Sequence, residues 1–172
     1  KLNKTNKNIK SFPLDITRID DVKETFKKIM NNFTDLDVCI FNSGINSRNS
    51  GNINTENIRK IFDTNFFGTS NCIETVLEFF KLRKKGHISI VASTAGYRGL
   101  YSVSGYGASK AALINFTESL YLIMNSYGVK VTLINSGFVK TPLTEQNDFK
   151  MPFLVMPDDA AQKIYDGITK GK

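Results

Sequence analysis

The chain has 172 residues, 41% of them hydrophobic and 23% charged, which is ordinary usage for one globular domain with a buried core and excludes wholesale disorder. Its longest apolar runs, 38–41 and 88–92, are far too short for a membrane span, and its one histidine, His87, argues against a His-based metal centre or a Ser-His-Asp triad. The net charge of +7 comes mostly from Lys scattered along the chain rather than from an Arg-lined groove, so nucleic-acid binding is not expected.

In chain order, Ile9–Leu14 reads as a strand ended by Asp15-Ile16-Thr17. Thr17 is expected to cap a helix, with Asp20 three residues later and Val22, Phe26, Ile29 and Met30 as its apolar face. Leu36–Phe41 is a near-continuous apolar run, as for a strand covered on both faces, and a polar loop from Asn42 to Asn54 follows. Thr55 and Glu56 open a long helical pattern reaching about Leu82, and Arg83-Lys84-Lys85 suits the negative end of its dipole. His87–Ala92 is the next strand, Ser104–Tyr127 a helix ended by Gly128, and Val129–Asn135 a fourth strand. A loop runs to Met156, and Pro157 starts a last helix to about Ile168.

This alternation implies βαβ units: an α/β fold with a parallel sheet, in which ligands bind beyond the carboxyl ends of the strands. Polar or small residues gather at those ends: Asp15, then Asn42-Ser43-Gly44, then Ser93, then Ser136-Gly137. Tyr106 and Lys110, four apart, would share a helix face, so an ammonium could favour the phenolate of a side chain whose ordinary pKa is about 10. Small residues around them (Gly105, Gly107, Ala108, Ser109, Ala111) leave room for another body to approach. Ser93 lacks a conventional activating base and reads as a hydrogen-bonding group, or as a loop cap. Asn65, mid-helix and flanked by Phe66, Phe67 and Gly68, needs partners for its amide, either a local bond or a water near the site. Cys39 and Cys72 lie in apolar surroundings without metal-ligand spacing; no metal is expected, and the compartment expected is the reducing cytoplasm. No basic-then-apolar leader opens the chain.

Taken together these pieces resemble the short-chain dehydrogenase/reductase family of Rossmann-fold oxidoreductases. They run in family order: Leu14-Asp15-Ile16-Thr17, Phe41-Asn42-Ser43-Gly44, Thr64-Asn65-Phe66-Phe67-Gly68, Ser93, Tyr106-Gly107-Ala108-Ser109-Lys110, and Asn135-Ser136-Gly137-Phe138-Val139-Lys140-Thr141-Pro142. The resemblance implies a doubly wound parallel sheet in one domain over residues 1–172, NAD or NADP as cofactor, and reversible hydride transfer between a carbonyl and an alcohol. By the same resemblance Tyr106 is the acid/base, and Lys110 lowers its pKa and holds the nicotinamide ribose. Ser93 polarises the carbonyl, and Asn65 holds a water. Asp15 and Ile16 would border the adenine, Asn42, Ser43 and Gly44 pack along the cofactor, and Gly137, Val139 and Thr141 meet the nicotinamide end. The family's Asn-Pro-Gly is here Asn135-Ser136-Gly137. Its glycine-rich phosphate loop is not in the chain, so the domain is expected to be incomplete at its N-terminus and at its C-terminus, and the segment alone to be poorly stable and unable to bind cofactor.

Two stretches are expected to line the substrate pocket, Thr94–Val103 and Thr141–Met156; their apolar and aromatic residues suggest a hydrophobic carbonyl or alcohol as the small-molecule substrate. A homodimer or homotetramer is expected through the helices Thr55–Leu82 and Ser104–Tyr127. The alternative from another class is a catalytically silent interaction module of the same fold, against which the complete set Asn65, Ser93, Tyr106 and Lys110 argues.

Overall fold

The computed structural model describes residues 8–47, 52–101 and 103–170. The basic run at 1–7 and residues 48–51 of the expected polar loop lie outside the described residues. Three strands, β1 (Val38–Phe41), β2 (His87–Val91) and β3 (Lys130–Ile134), form a parallel sheet in the order β1-β2-β3. Register pairs Val38 with His87 and His87 with Lys130. Parallel neighbours need long crossovers, and the helices supply them. The helical crossover from β1 to β2 is α2 (Thr55–Phe62) and α3 (Thr69–Arg83), and from β2 to β3 it is α4 (Ser104–Asn125). Before the sheet comes α1 (Ile19–Asn32), and after it α5 (Pro157–Thr169) with proline in its first turn, where its missing N–H is no loss.

The core lies where α3 and α4 meet the sheet. β2 is the central strand and all five of its residues are buried. Around Ile88 and Ile90 pack Ile73, Val76, Phe80, Leu113, Leu120 and Met124. Phe26 of α1 meets Phe79 of α3 edge to face, with ring centroids 6.0 Å apart. The end of α3 is held as its charges suggest: Arg83 bonds the carboxylate of Asp35 at 2.5 Å and the carbonyl of Leu36, and Lys84 takes the left-handed conformation that ends the helix.

Four expectations change. Residues 9–14 form no strand, because an extended segment becomes one only with a hydrogen-bonding neighbour, and none lies beside it among the described residues. Thr17 does not cap α1: its hydroxyl and N–H both bond the Asp15 carboxylate, at 2.8 and 3.0 Å, and the cap residue is Arg18, whose side chain accepts no capping bond and pairs with Asp21 instead. β1 is not covered on both faces, since Val38 and Ile40 are 40% and 51% exposed. They face a cleft rather than a packed layer. Finally, the long helix is not continuous. Between α2 and α3 the chain widens into a π-turn at Asp63–Gly68, which contains Asn65. Single π-turns inside helices recur at functional sites.

Candidate active site

The carboxyl ends of the strands open onto a cleft of about 820 Å³, with Asn42, Gly44, Tyr106, Lys110, Gly137, Val139 and Thr141 among its lining residues. The strand ends and the first turns of α4 therefore converge, as the residue positions suggested. Asp15, Ile16 and Ser43 are not on its wall. The Asp15 carboxylate is turned into its own loop by Thr17, which also holds its pKa below the usual carboxylate range. Ile16 lies against the π-turn: a Cβ at Gly68 would stand 2.7 Å from its side chain, and its carbonyl accepts from the Asn71 amide at 3.0 Å. Its visible work is packing.

Lys110 is only 3% exposed and its Nζ donates to the Val91 carbonyl at 2.7 Å, at the end of the central strand. The same ammonium is 5.7 Å from the centre of the Tyr106 ring. Burial lowers its pKa to about 8, because a desolvated ammonium is disfavoured, so near pH 7 it remains mostly charged. Burial acts on Tyr106 in the opposite direction and raises its pKa, and a hydrogen bond with Ser93 partly offsets this. The expected depression of the phenol by Lys110 is thus not what the structure gives: the ammonium is committed to a backbone carbonyl, and desolvation decides the sign.

Ser93 is buried just behind the cleft, as the residue that caps the short 3₁₀ turn Thr94–Gly96. Its Oγ accepts from the Ala95 N–H at 3.2 Å and donates to the Ser136 carbonyl at 3.3 Å. The Ser136 carbonyl also accepts from the Thr94 N–H at 3.0 Å, so the Ser93 turn is fastened to the end of β3. Of the two readings of this serine, these bonds show the loop cap. A further clip that the sequence reading missed joins Tyr97 to Asn135, whose amide nitrogen meets the phenol oxygen at 2.5 Å.

Asn65 is wholly buried and its amide is fully used. Its Oδ1 accepts from the Ile45 N–H at 2.7 Å, and its Nδ2 donates to the Ile45 carbonyl and to Ser109 Oγ, both at 3.0 Å. The side chain therefore makes structural bonds to residues 20 and 44 positions away, neither the local bond nor the water expected of it. The sequence offers Ser109 as a small residue within the stretch from Tyr106 to Lys110; its place three residues after Tyr106 on the same helix is the signal that it could bond back to that turn.

The segments expected to line a substrate pocket are rich in uncovered apolar groups. Tyr97, Leu100 and Tyr101 are exposed, as are Phe149, Phe153 and Leu154, while residue 102 lies outside the described residues. A bridge between Val139 and Val155 ties the second segment at its base, and Phe149 packs edge to face on Phe138 with centroids 5.8 Å apart.

Comparison with known proteins agrees with this geometry. A family model described as short chain dehydrogenase matches residues 1–151. An uncharacterized oxidoreductase of Myxococcus xanthus (strain DK1622) is 39% identical over 159 residues, covering 92% of this chain and 63% of that protein. The 3-oxoacyl-[acyl-carrier-protein] reductase FabG of Buchnera aphidicola subsp. Schizaphis graminum (strain Sg) is 34% identical over 143 residues, 81% of this chain and 57% of that one. The solved structure of ElxO with NADP bound superposes with a TM-score of 0.85 at 27% identity, covering 93% of this chain and 71% of ElxO. The chain thus spans less than two thirds of the length of these curated relatives.

Proposed function

This chain belongs to the short-chain dehydrogenase family, and on that premise we propose that the protein is an NAD- or NADP-dependent oxidoreductase acting on an apolar carbonyl or alcohol. The observation that carries the proposal is the convergence of the buried Lys110, the Tyr106 phenol and the Ser93 hydroxyl at the ends of β2 and α4's first turns. A phenol whose pKa is raised stays protonated near neutrality, which is the state needed to give a proton to a carbonyl oxygen during reduction. To donate to the same oxygen, Ser93 would turn its one proton away from the Ser136 carbonyl. Lys110 supplies positive charge beneath the cleft, and Asn65 braces the loop that carries Gly44.

The bound cofactor would supply the hydride. The residues present fit its nicotinamide-ribose half. Gly44 leaves space beside Lys110, since a Cβ there would sit 3.6 Å from Nζ, and Gly137, Val139 and Thr141 form the opposite wall. Asn42 and Gly44 would pack along the ribose. No glycine-rich strand-to-helix turn for the diphosphate is found in the sequence, so that contact is assigned to none of these residues. Asp15 and Ile16 are proposed to border the adenine through their backbone only. The exposed aromatic residues of 94–103 and 141–156 support an apolar substrate.

A homodimer or homotetramer through α2, α3 and α4 is supported by the exposed Phe67, Leu82, Tyr121 and Leu122. A cytoplasmic location is supported by two unpaired cysteines, whose thiols burial pushes up to about 12 (Cys39) and about 11 (Cys72). The direct test is oxidation of NADH and of NADPH by the full-length protein against a series of aliphatic and aromatic ketones and aldehydes. Turnover with either cofactor supports the reading; cofactor binding without turnover on any carbonyl sinks it.

A further inference from the structure

Asn65 is one end of a chain of hydrogen bonds whose direction is fixed. The Ile45 N–H can only donate, so the atom of Asn65 facing it at 2.7 Å is Oδ1, and Nδ2 must face Ser109. The Ser109 hydroxyl, accepting from Nδ2 at 3.0 Å, has its one proton left to give. It gives it to the Tyr106 carbonyl at 2.8 Å. That carbonyl is also the one that accepts the helical bond from the Lys110 N–H. A serine bonded back into its own helix tilts the carbonyl it touches. The carbonyl that Ser109 bonds belongs to the turn that carries both Tyr106 and Lys110. Ser109 and Asn65 are completely buried, as is the bond between them, so water does not take either partner's place there.

We propose that Ser109 is a positioning residue for Tyr106, coupling the Asn65 π-turn to the turn of α4 that carries the phenol. It touches neither the cleft nor any group proposed to meet substrate; it acts through the Tyr106 backbone. The inference rests on the reading of Tyr106 as the acid/base.

The test uses the full-length protein and four variants: Ser109→Ala, Ser109→Cys, Asn65→Ala and the double variant Asn65→Ala/Ser109→Ala. Losing one buried hydrogen bond that serves only the reacting geometry lowers kcat by about tenfold. Ser109→Ala is expected to show that loss, with the cofactor KM within about twofold. Ser109→Cys keeps the volume but is a weak partner, so it should do no better than alanine. In the Asn65→Ala background, Ser109→Ala should cost less than about twofold, because a residue that acts through its neighbour is not additive with it. Wild-type kcat in Ser109→Cys would reduce the role to packing and overturn the proposal. A full tenfold loss that persists without the Asn65 amide, or a Ser109→Ala kcat within twofold of wild type, would overturn it equally. No turnover in the wild-type protein overturns the catalytic reading and this proposal with it, which separates the two failures.

Discussion

Replacing Tyr106 with phenylalanine removes one oxygen, and its surroundings bound what that oxygen does for stability. The hydrogen bond at stake is the one with Ser93 that lowers the phenol's pKa, and the Ser93 hydroxyl keeps two other bonds, from the Ala95 N–H and to the Ser136 carbonyl. No buried group is orphaned, so the change in stability is that of one ordinary hydrogen bond, about 1 kcal/mol. The ring itself stays, and with it the packing of α4's first turn. Loss of a general acid lowers kcat by at least ~100-fold, equivalent to about 2.7 kcal/mol in the barrier. The two numbers differ enough to be told apart. We expect Tyr106→Phe to unfold thermally within a few degrees of wild type and to bind cofactor, yet to fall by about two decades or more in steady-state NAD(P)H oxidation. A variant that kept more than about a tenth of wild-type kcat would refute the acid/base assignment. An inactive variant with a collapsed melting transition would show that the stability argument is wrong.

Three further outcomes follow from particular contacts. Gly86 has φ of 152°, and a Cβ there would stand 2.3 Å from the wholly buried Phe80 ring, so Gly86→Ala should destabilise by about 2–4 kcal/mol in denaturant unfolding; a change under ~0.5 kcal/mol would contradict the packing. His87 is held neutral, its pKa lowered by burial and by Lys130, its cross-strand partner, while Nε2 meets Thr132 Oγ1 at 2.8 Å. The stability it contributes is present above the ordinary histidine value near 6.5 and is lost as pH falls through its lower folded value. A melting temperature that declines between pH 7 and pH 5 in wild type should decline less in His87→Gln; identical slopes would exclude the histidine. Asp15 and Asp37 are held below the ordinary carboxylate range by Thr17 and Lys85 respectively, so they lie outside that window. For the quaternary structure, light scattering of the full-length protein should give a dimer or tetramer mass, and a monomer would remove the helical faces from consideration as an interface.

What could be read from the sequence, and what could not, divides along physical lines. Tyr106 and Lys110 were legible because a spacing of four places two side chains on one helical face whatever lies elsewhere. The strands β1, β2 and β3 are legible from their apolar runs, but Ile9–Leu14 is a more broken run and has no strand beside it among the described residues. Pairing is not a property of six residues. Asp15 looked like a strand-end ligand contact, and its carboxylate instead closes a two-residue turn on Thr17. The sign of the Tyr106 shift was missed because spacing says nothing of burial, and burial outweighs a cation that is engaged with Val91. Ser109 was hidden by being small: its neighbours explained its size, and nothing local announced its bond to a side chain 44 positions away.

The π-turn between α2 and α3 also changes how the two helices face their surroundings. One extra residue in a helical ladder rotates everything after it by about 100°. Ahead of the turn, α2 presents Ile61 to α4; beyond it, Ile73, Val76 and Phe80 of α3 point at the sheet, with Phe79 toward α1. The wide turn is what takes up such a residue, so α3 leaves it in the phase its core needs. Deleting one residue within 63–68 would let the turn close to a regular helix and keep α3 in phase, at the cost of the bulged geometry that buries the Asn65 amide. The same deletion within α2 or α3 has no such slack and would swing the rest of the crossover off its core. Length is therefore more negotiable inside this stretch than on either side of it.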